Sequence, residues 1–178
     1  MTGPLGATFN IARLIVMLCV LSWPKVRGVL KEDIYVEVLQ NIESLIEDET
    51  DLIAVMSTIS CELYHAFKHF SWVGFYRRVD AKTLKVGPYQ GTHGCLTIDI
   101  EQGVCGKCAK EGEPQIENDV RAIPHHIACA NDTKSEIVLP IKNAENYVTA
   151  VLDIDSTEMN SFNEVDQKYL EKICEYLS

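Results

Sequence analysis

From residue 32 onward, apolar positions recur once per helical turn. Ile34, Val38, Ile42 and Leu45 share one stripe, with acids and glutamine on the opposite face. The acidic run EDETD ends that helix near residue 50, and a second helix follows with Leu52, Val55, Met56, Ile59 and Leu63 on one stripe, ending around Lys68. The pattern then turns strand-like. Residues 71–79 are almost continuously apolar, which predicts a strand covered on both faces. DAKT makes a turn, 84–90 returns as a partner strand, and the alternation of CLTIDI predicts a third strand over 95–100. Gly103 and Gly106 bracket a tight turn into a short helix running to Glu111, 115–117 reads as a short strand, and 118–134, with Pro124 and ANDTK, as a long loop. Residues 135–142 and 147–155 form a hairpin around NAEN. The last helix has Asn163 as N-cap, Asp166 three residues on, and Val165, Tyr169, Ile173 and Leu177 as its apolar stripe. This order predicts an α+β fold, one mostly antiparallel sheet with helices packed on a face, the first and last helices lying together.

Composition changes the picture mainly at the N-terminus. The apolar run at 14–21 is too short to span a bilayer and is not followed by a small-x-small cleavage pattern. Residues 1–30 are therefore set apart as an extension, either a targeting segment or a non-native one, and 31–178 as the single domain. All 26 acids and 12 of the 16 basic residues fall within 32–178, so the body is more acidic than the net charge of −10 indicates. Such a surface repels phosphate backbones, which argues against nucleic-acid binding, and nothing in the chain calls for stable membrane association. Seven cysteines without framework spacing point to a reducing, cytoplasmic setting and free or catalytic thiols rather than a secreted disulfide scaffold.

Four of those cysteines, Cys95, Cys105, Cys108 and Cys129, crowd one third of the chain. Cys129 sits in the long loop near His125, His126 and Lys134, whose charge would lower its pKa and favour a nucleophilic thiolate; the alternative is a small apolar filler under the loop. Cys95 and Cys105 could supply a resolving thiol to a sulfenic acid. Cys105 follows Gly103 at a predicted helix start, where the helix dipole would favour a thiolate. Cys105 and Cys108 also form a C-x-x-C, either a redox pair or half a zinc site, with Cys95, Cys129, His93, His125 or His126 as the further ligands; without a second such pair no metal is expected. Cys19, Cys61 and Cys174 lie on apolar stripes or in the extension and read as inert. Asp153 and Asp155, two apart on a strand, point to one face, and Glu136 opens the neighbouring strand. Three acids around one pocket would raise the pKa of at least one of them. Trp72 and Tyr76, at i and i+4 of the first strand, share a face and wall a small cavity or pack in the core.

The segments SWVGFY, GPYQG, GVCG, HIAC, SEIVLPI and LDID, in this order over roughly 35–175, resemble the free methionine-(R)-sulfoxide reductases, single GAF-domain enzymes. The resemblance implies reduction of free methionine (R)-sulfoxide to methionine. Cys129 is implied as nucleophile, Cys95 as the partner that closes a disulfide with it, and Cys105 as a third redox cysteine. Glu136, Asp153 and Asp155 are implied as the carboxylates that hold the substrate's amine and sulfoxide oxygen, with Trp72 and Tyr76 around its methyl-sulfur end. It further implies thioredoxin as electron donor, no other cofactor, and a homodimer. The rival expectation is a non-enzymatic GAF module that binds a small ligand or senses redox state.

Overall fold

The computed structural model describes residues 30–122 and 132–178. Within them, Lys31–Ser178 form one compact unit. In chain order the elements are α1 (Lys31–Leu45), α2 (Leu52–Ala66), β1 (Phe70–Arg78), β2 (Thr83–Gly91), β3 (Thr97–Asp99), α3 (Gly103–Glu111), β4 (Gln115–Glu117), a 3₁₀ turn Val120–Ala122, β5 (Ser135–Lys142), β6 (Val148–Ser156), α4 (Glu164–Cys174) and a closing 3₁₀ turn Glu175–Leu177. The six strands make one sheet in the order β3-β2-β1-β6-β5-β4, every pairing antiparallel. Among the described residues no helix is long and apolar enough to cross a membrane.

The central strands β1, β6 and β5 are buried on both faces, and alternation divides their side chains between two cores. Val73, Phe75, Ile137, Leu139, Ile141, Ala150, Leu152 and Ile154 pack under α1, α2 and α4. Trp72, Tyr76, Val138 and Val151 point to the other side, into a smaller cluster closed by Ile98, Val104, Cys105 and Cys108. Phe70 breaks the alternation: it belongs with the helices although Trp72, two residues on, does not. The pairing of β1 with β6 shifts between those two residues, and that bulge rotates the strand so that Trp72 enters the second face.

Three features of the sequence reading need correction. In α1 the buried stripe is Tyr35, Val38 and Ile42, and Leu45 is exposed, because the helix stops there rather than near residue 50. In α4 the buried stripe is Asp166, Leu170, Ile173 and Cys174, a one-position rotation from the expected one, because a buried carboxylate replaces an apolar residue on the inner face. The expected strand at 95–100 shrinks to Thr97–Asp99, although Leu96 still accepts a hydrogen bond from the Val86 amide.

Asp166 explains the rotation and the adjacency of the first and last helices. Its carboxylate accepts from Lys31 Nζ (2.7 Å), the Tyr35 hydroxyl (2.8 Å) and the Asn163 amide (2.8 Å), and the Asn163 side chain accepts in turn to complete a capping box. Tyr35 stacks on Tyr169 at 5.2 Å across the same junction. Asp166→Ala is expected to cost about 2–4 kcal/mol, since it removes a cap and leaves a buried hydroxyl unpaired. Chemical denaturation should show a lower midpoint with an unchanged m-value.

Candidate functional site

The second face of the sheet carries the chemistry. On β6, Asp153 and Asp155 stand between Ala150, Leu152 and Ile154, which face the helices, so both acids emerge on the opposite side. Across the ladder Asp155 lies opposite Glu136 on β5 and opposite Trp72 on β1, while Asp153 lies opposite Val138 and Gly74. Trp72 stacks on Tyr76 at 5.5 Å between ring centres and on Tyr89 at 5.4 Å. That aromatic ladder covers Gly74, where a Cβ would lie 2.3 Å from the Cβ of Tyr89 and 2.6 Å from the Trp72 ring, so the stack requires glycine. The helix α3 closes the space from above. Gly106 seats it directly on the carbonyls of Asp99 and Ile100, which a Cβ would approach to 2.8 Å. The neighbouring Cys105 is thereby turned inward.

The result is a tight cavity of about 30 Å³, bounded by Trp72, Tyr76, Ile98, Val104, Cys105, Glu136, Asp153 and Asp155, with His93, Gly94, Gly103 and Thr133 completing the wall. Its inner end is acidic and buried. Glu136, Asp153 and Asp155 are 5%, 6% and 9% exposed. Burial, reinforced by Asp153 and Asp155, pushes the Glu136 carboxyl well above the usual carboxylate range. Asp155 is pushed up likewise by burial and by Asp153. Burial also raises Asp153, to about 7, although hydrogen bonding with Cys105 and Glu136 pulls the other way. The site therefore stores a proton on carboxyl groups at neutral pH. Three buried polar atoms on its wall, the Trp72 indole Nε1, Thr133 Oγ1 and Asp153 Oδ1, have no hydrogen-bond partner. The indole is a donor, the carboxylate oxygen an acceptor and the hydroxyl both, and each leaves a desolvation cost that a ligand of matching polarity relieves.

Raised carboxyl pKa values give a definite pH signature. Below about pH 4 folded and unfolded chains are both protonated, and the cluster costs nothing. As pH rises through 4 to 7 and beyond, the unfolded carboxyls ionise first, so the folded state loses stability. Thermal melts should show a Tm that falls between pH 5 and pH 8, and Asp153→Asn should flatten that slope by removing a contribution of a few kcal/mol.

Cys105 donates to Glu136 Oε1 at 3.9 Å. Its thiol does not behave as its place at a helix start suggested: burial, then Asp153 and Glu136, hold it well above the ordinary cysteine value. Desolvation and like charge outweigh a nine-residue helix's dipole. Cys108 is buried as well, but its sulfur contacts the Val138 carbonyl at 3.6 Å and lies off the cavity wall. The C-x-x-C therefore does not act as one pair facing the cavity. Cys95 is disulfide-bonded, and its backbone amide donates to the Tyr76 hydroxyl. Cys61, Cys105, Cys108 and Cys174 are free. Cys129, His125 and His126 lie outside the described residues, and Lys134 contributes backbone hydrogen bonds to Val120 and Ser156. Ile98, Val104 and Thr133 were missed as wall residues. For Ile98 the alternation of 95–100 was the available signal; for the other two there was none.

Comparison with known proteins places this geometry among relatives. The family model described as GAF domain matches residues 47–178. Protein YtsP of Bacillus subtilis is 42% identical over 148 residues, covering 83% of this chain and 90% of that protein. The free methionine-R-sulfoxide reductase of Saccharomyces cerevisiae is 36% identical over 154 residues, covering 83% of this chain and 86% of its own length. Among solved structures, the free methionine-R-sulfoxide reductase of Neisseria meningitidis in complex with its substrate superposes with a TM-score of 0.79 at 36% identity, covering 88% of this chain and 93% of that one.

Proposed function

The chain belongs to the GAF-domain family, in the group of free methionine-R-sulfoxide reductases, and from that membership we propose that it reduces free methionine (R)-sulfoxide to methionine with thiol electrons. The observation that carries the reading is the cavity's inner end. It joins protonated carboxyls to an orphan acceptor and an orphan donor, beside a stacked aromatic wall. A free amino-acid sulfoxide matches that set. Its ammonium answers the acidic oxygens, its S–O oxygen accepts from a carboxyl proton, and its S-methyl group rests against Trp72 and Tyr76.

The steps balance as a two-electron reduction. The Cys129 thiolate attacks the sulfoxide sulfur while a neutral carboxyl of the Glu136, Asp153 and Asp155 cluster protonates its oxygen. Oxygen leaves with the cysteine sulfur as a sulfenic acid, and methionine departs as the thioether. A second thiol then attacks the sulfenic sulfur and expels water, leaving a disulfide. We assign that second thiol to Cys95. It is disulfide-bonded here, while Cys61, Cys105, Cys108 and Cys174 are free. Cys105, free at the wall, serves as a reserve thiol. An external dithiol of the thioredoxin class reopens the disulfide, and a homodimer is the working assembly.

The test is methionine release from each sulfoxide diastereomer, free and peptide-bound, with dithiothreitol or thioredoxin as reductant. Turnover confined to the free (R) form supports the proposal. Binding without turnover would instead identify a ligand-sensing module.

A further inference from the structure

The cavity's sulfur and oxygen atoms are spaced for a cation as well as for an amino acid. Cys105 Sγ, a carboxylate oxygen of Glu136 and one of Asp153 all lie within 4.8 Å of one another, and all three residues are buried. The sulfur is 3.9 Å from Glu136 Oε1. A tetrahedral ion with metal–sulfur and metal–oxygen bonds of about 2.3 and 2.0 Å holds such a pair roughly 3.5 Å apart, so the Cys105–Glu136 pair needs a shift of only a few tenths of an ångström, with the Asp153 oxygen within 4.8 Å of both. Independently, Asp153 Oδ1 is buried in the cavity wall without a hydrogen-bond partner, on a residue 6% exposed. An unsatisfied carboxylate oxygen in a buried site calls for a positive group.

We propose that in the reduced protein Cys105, Glu136 and Asp153 form a three-ligand site for a borderline-soft divalent cation, with Zn²⁺ as the fitting occupant and the fourth position open to the cavity. The donor set decides the class. A thiolate among the ligands disfavours Mg²⁺ and Ca²⁺, which take oxygen alone, and favours Zn²⁺ or Co²⁺. Binding breaks the S–H bond, releases its proton to solvent and forms a sulfur–metal bond, with no change of oxidation state. Cys105 in a disulfide has no thiolate to offer, so the ion binds only while this thiol is reduced. Cys108, the other member of the C-x-x-C, takes no part; its sulfur is engaged with the Val138 carbonyl. One consequence rests on the reductase reading: the cation and the sulfoxide compete for Glu136 and Asp153, so Zn²⁺ inhibits turnover and excess sulfoxide relieves it.

The test is an anaerobic titration of the pre-reduced full chain with Co²⁺, read by the thiolate-to-cobalt charge-transfer band in the near ultraviolet and the tetrahedral d–d bands in the visible. One equivalent is expected. Cys105→Ser should abolish the charge-transfer band, and Asp153→Asn should weaken Co²⁺ affinity by about tenfold or more. Cys61→Ser should keep the band; Cys61 Sγ and His65 Nδ1, 3.7 Å apart on the surface of α2, are the rival ligands. Near-ultraviolet circular dichroism checks that each variant is folded. No band, or a band that survives Cys105→Ser in folded protein, overturns the proposal. Because Co²⁺ binding needs no turnover, a protein that reduces sulfoxide yet binds no cobalt refutes the metal site alone. One that binds cobalt without reducing sulfoxide refutes only the reductase reading.

Discussion

Cys129→Ser is expected to abolish methionine formation from the free sulfoxide, with a loss of roughly three orders of magnitude or more in kcat. A serine hydroxyl stays protonated at neutral pH and cannot take up oxygen as a sulfenic acid. Two further readouts separate a lost nucleophile from a damaged fold. Methionine sulfoxide should still raise the Tm of the variant, because the acids and aromatics that hold it are unchanged. Intact mass after oxidation should show no disulfide at Cys95. Retained turnover would sink the assignment of Cys129 and move the first attack to Cys105, the free thiol on the cavity wall.

The second large effect is on the acidic end. Asp153→Asn removes the unpartnered oxygen and part of the proton store while keeping the side chain's shape, and kcat/KM should fall by about 10²–10³, the range for deleting one preorganised electrostatic contact. The same variant should melt higher than the parent at pH 7, because it no longer carries the burial penalty that pushes this carboxyl up. Lower activity with higher stability is the pattern of a site strained for its chemistry. An equal loss of activity and stability would show that Asp153 is structural.

Much of this was legible in the residues because strand periodicity is strict. Placing Asp153 and Asp155 two apart forces them onto one face, and the hairpin NAEN sets the ladder that brings Glu136 opposite Asp155. The i, i+4 spacing of Trp72 and Tyr76 carried over in the same way to a stacked pair. Helix faces were less legible. A 3.6-residue period tolerates a one-position rotation, and the buried Asp166 on the inner side of α4 cannot be told by type from a solvated acid. The thiol at Cys105 was misread for another reason. Its local position, near a helix start, is visible in the chain, whereas the burial that chiefly raises its pKa, and the two carboxyls that add to it, come from residues 31 and more positions away. The bulge that turns Trp72 inward leaves no mark in the sequence, since neither Ser71 nor Phe70 is a residue type that announces one.

The strand β6 serves the apolar interior with one set of residues and the reactive cavity with the other, in strict alternation. Exchange of a single side chain there disturbs one function at a time. Insertion or deletion of a single residue is different in kind: it would send two carboxylates under the helices and expose Leu152 and Ile154 where the ligand rests. Such a gene product would lose fold and activity together. Descendants of this chain can therefore explore β6 by replacement, while changes of length are confined to the turn at 143–146.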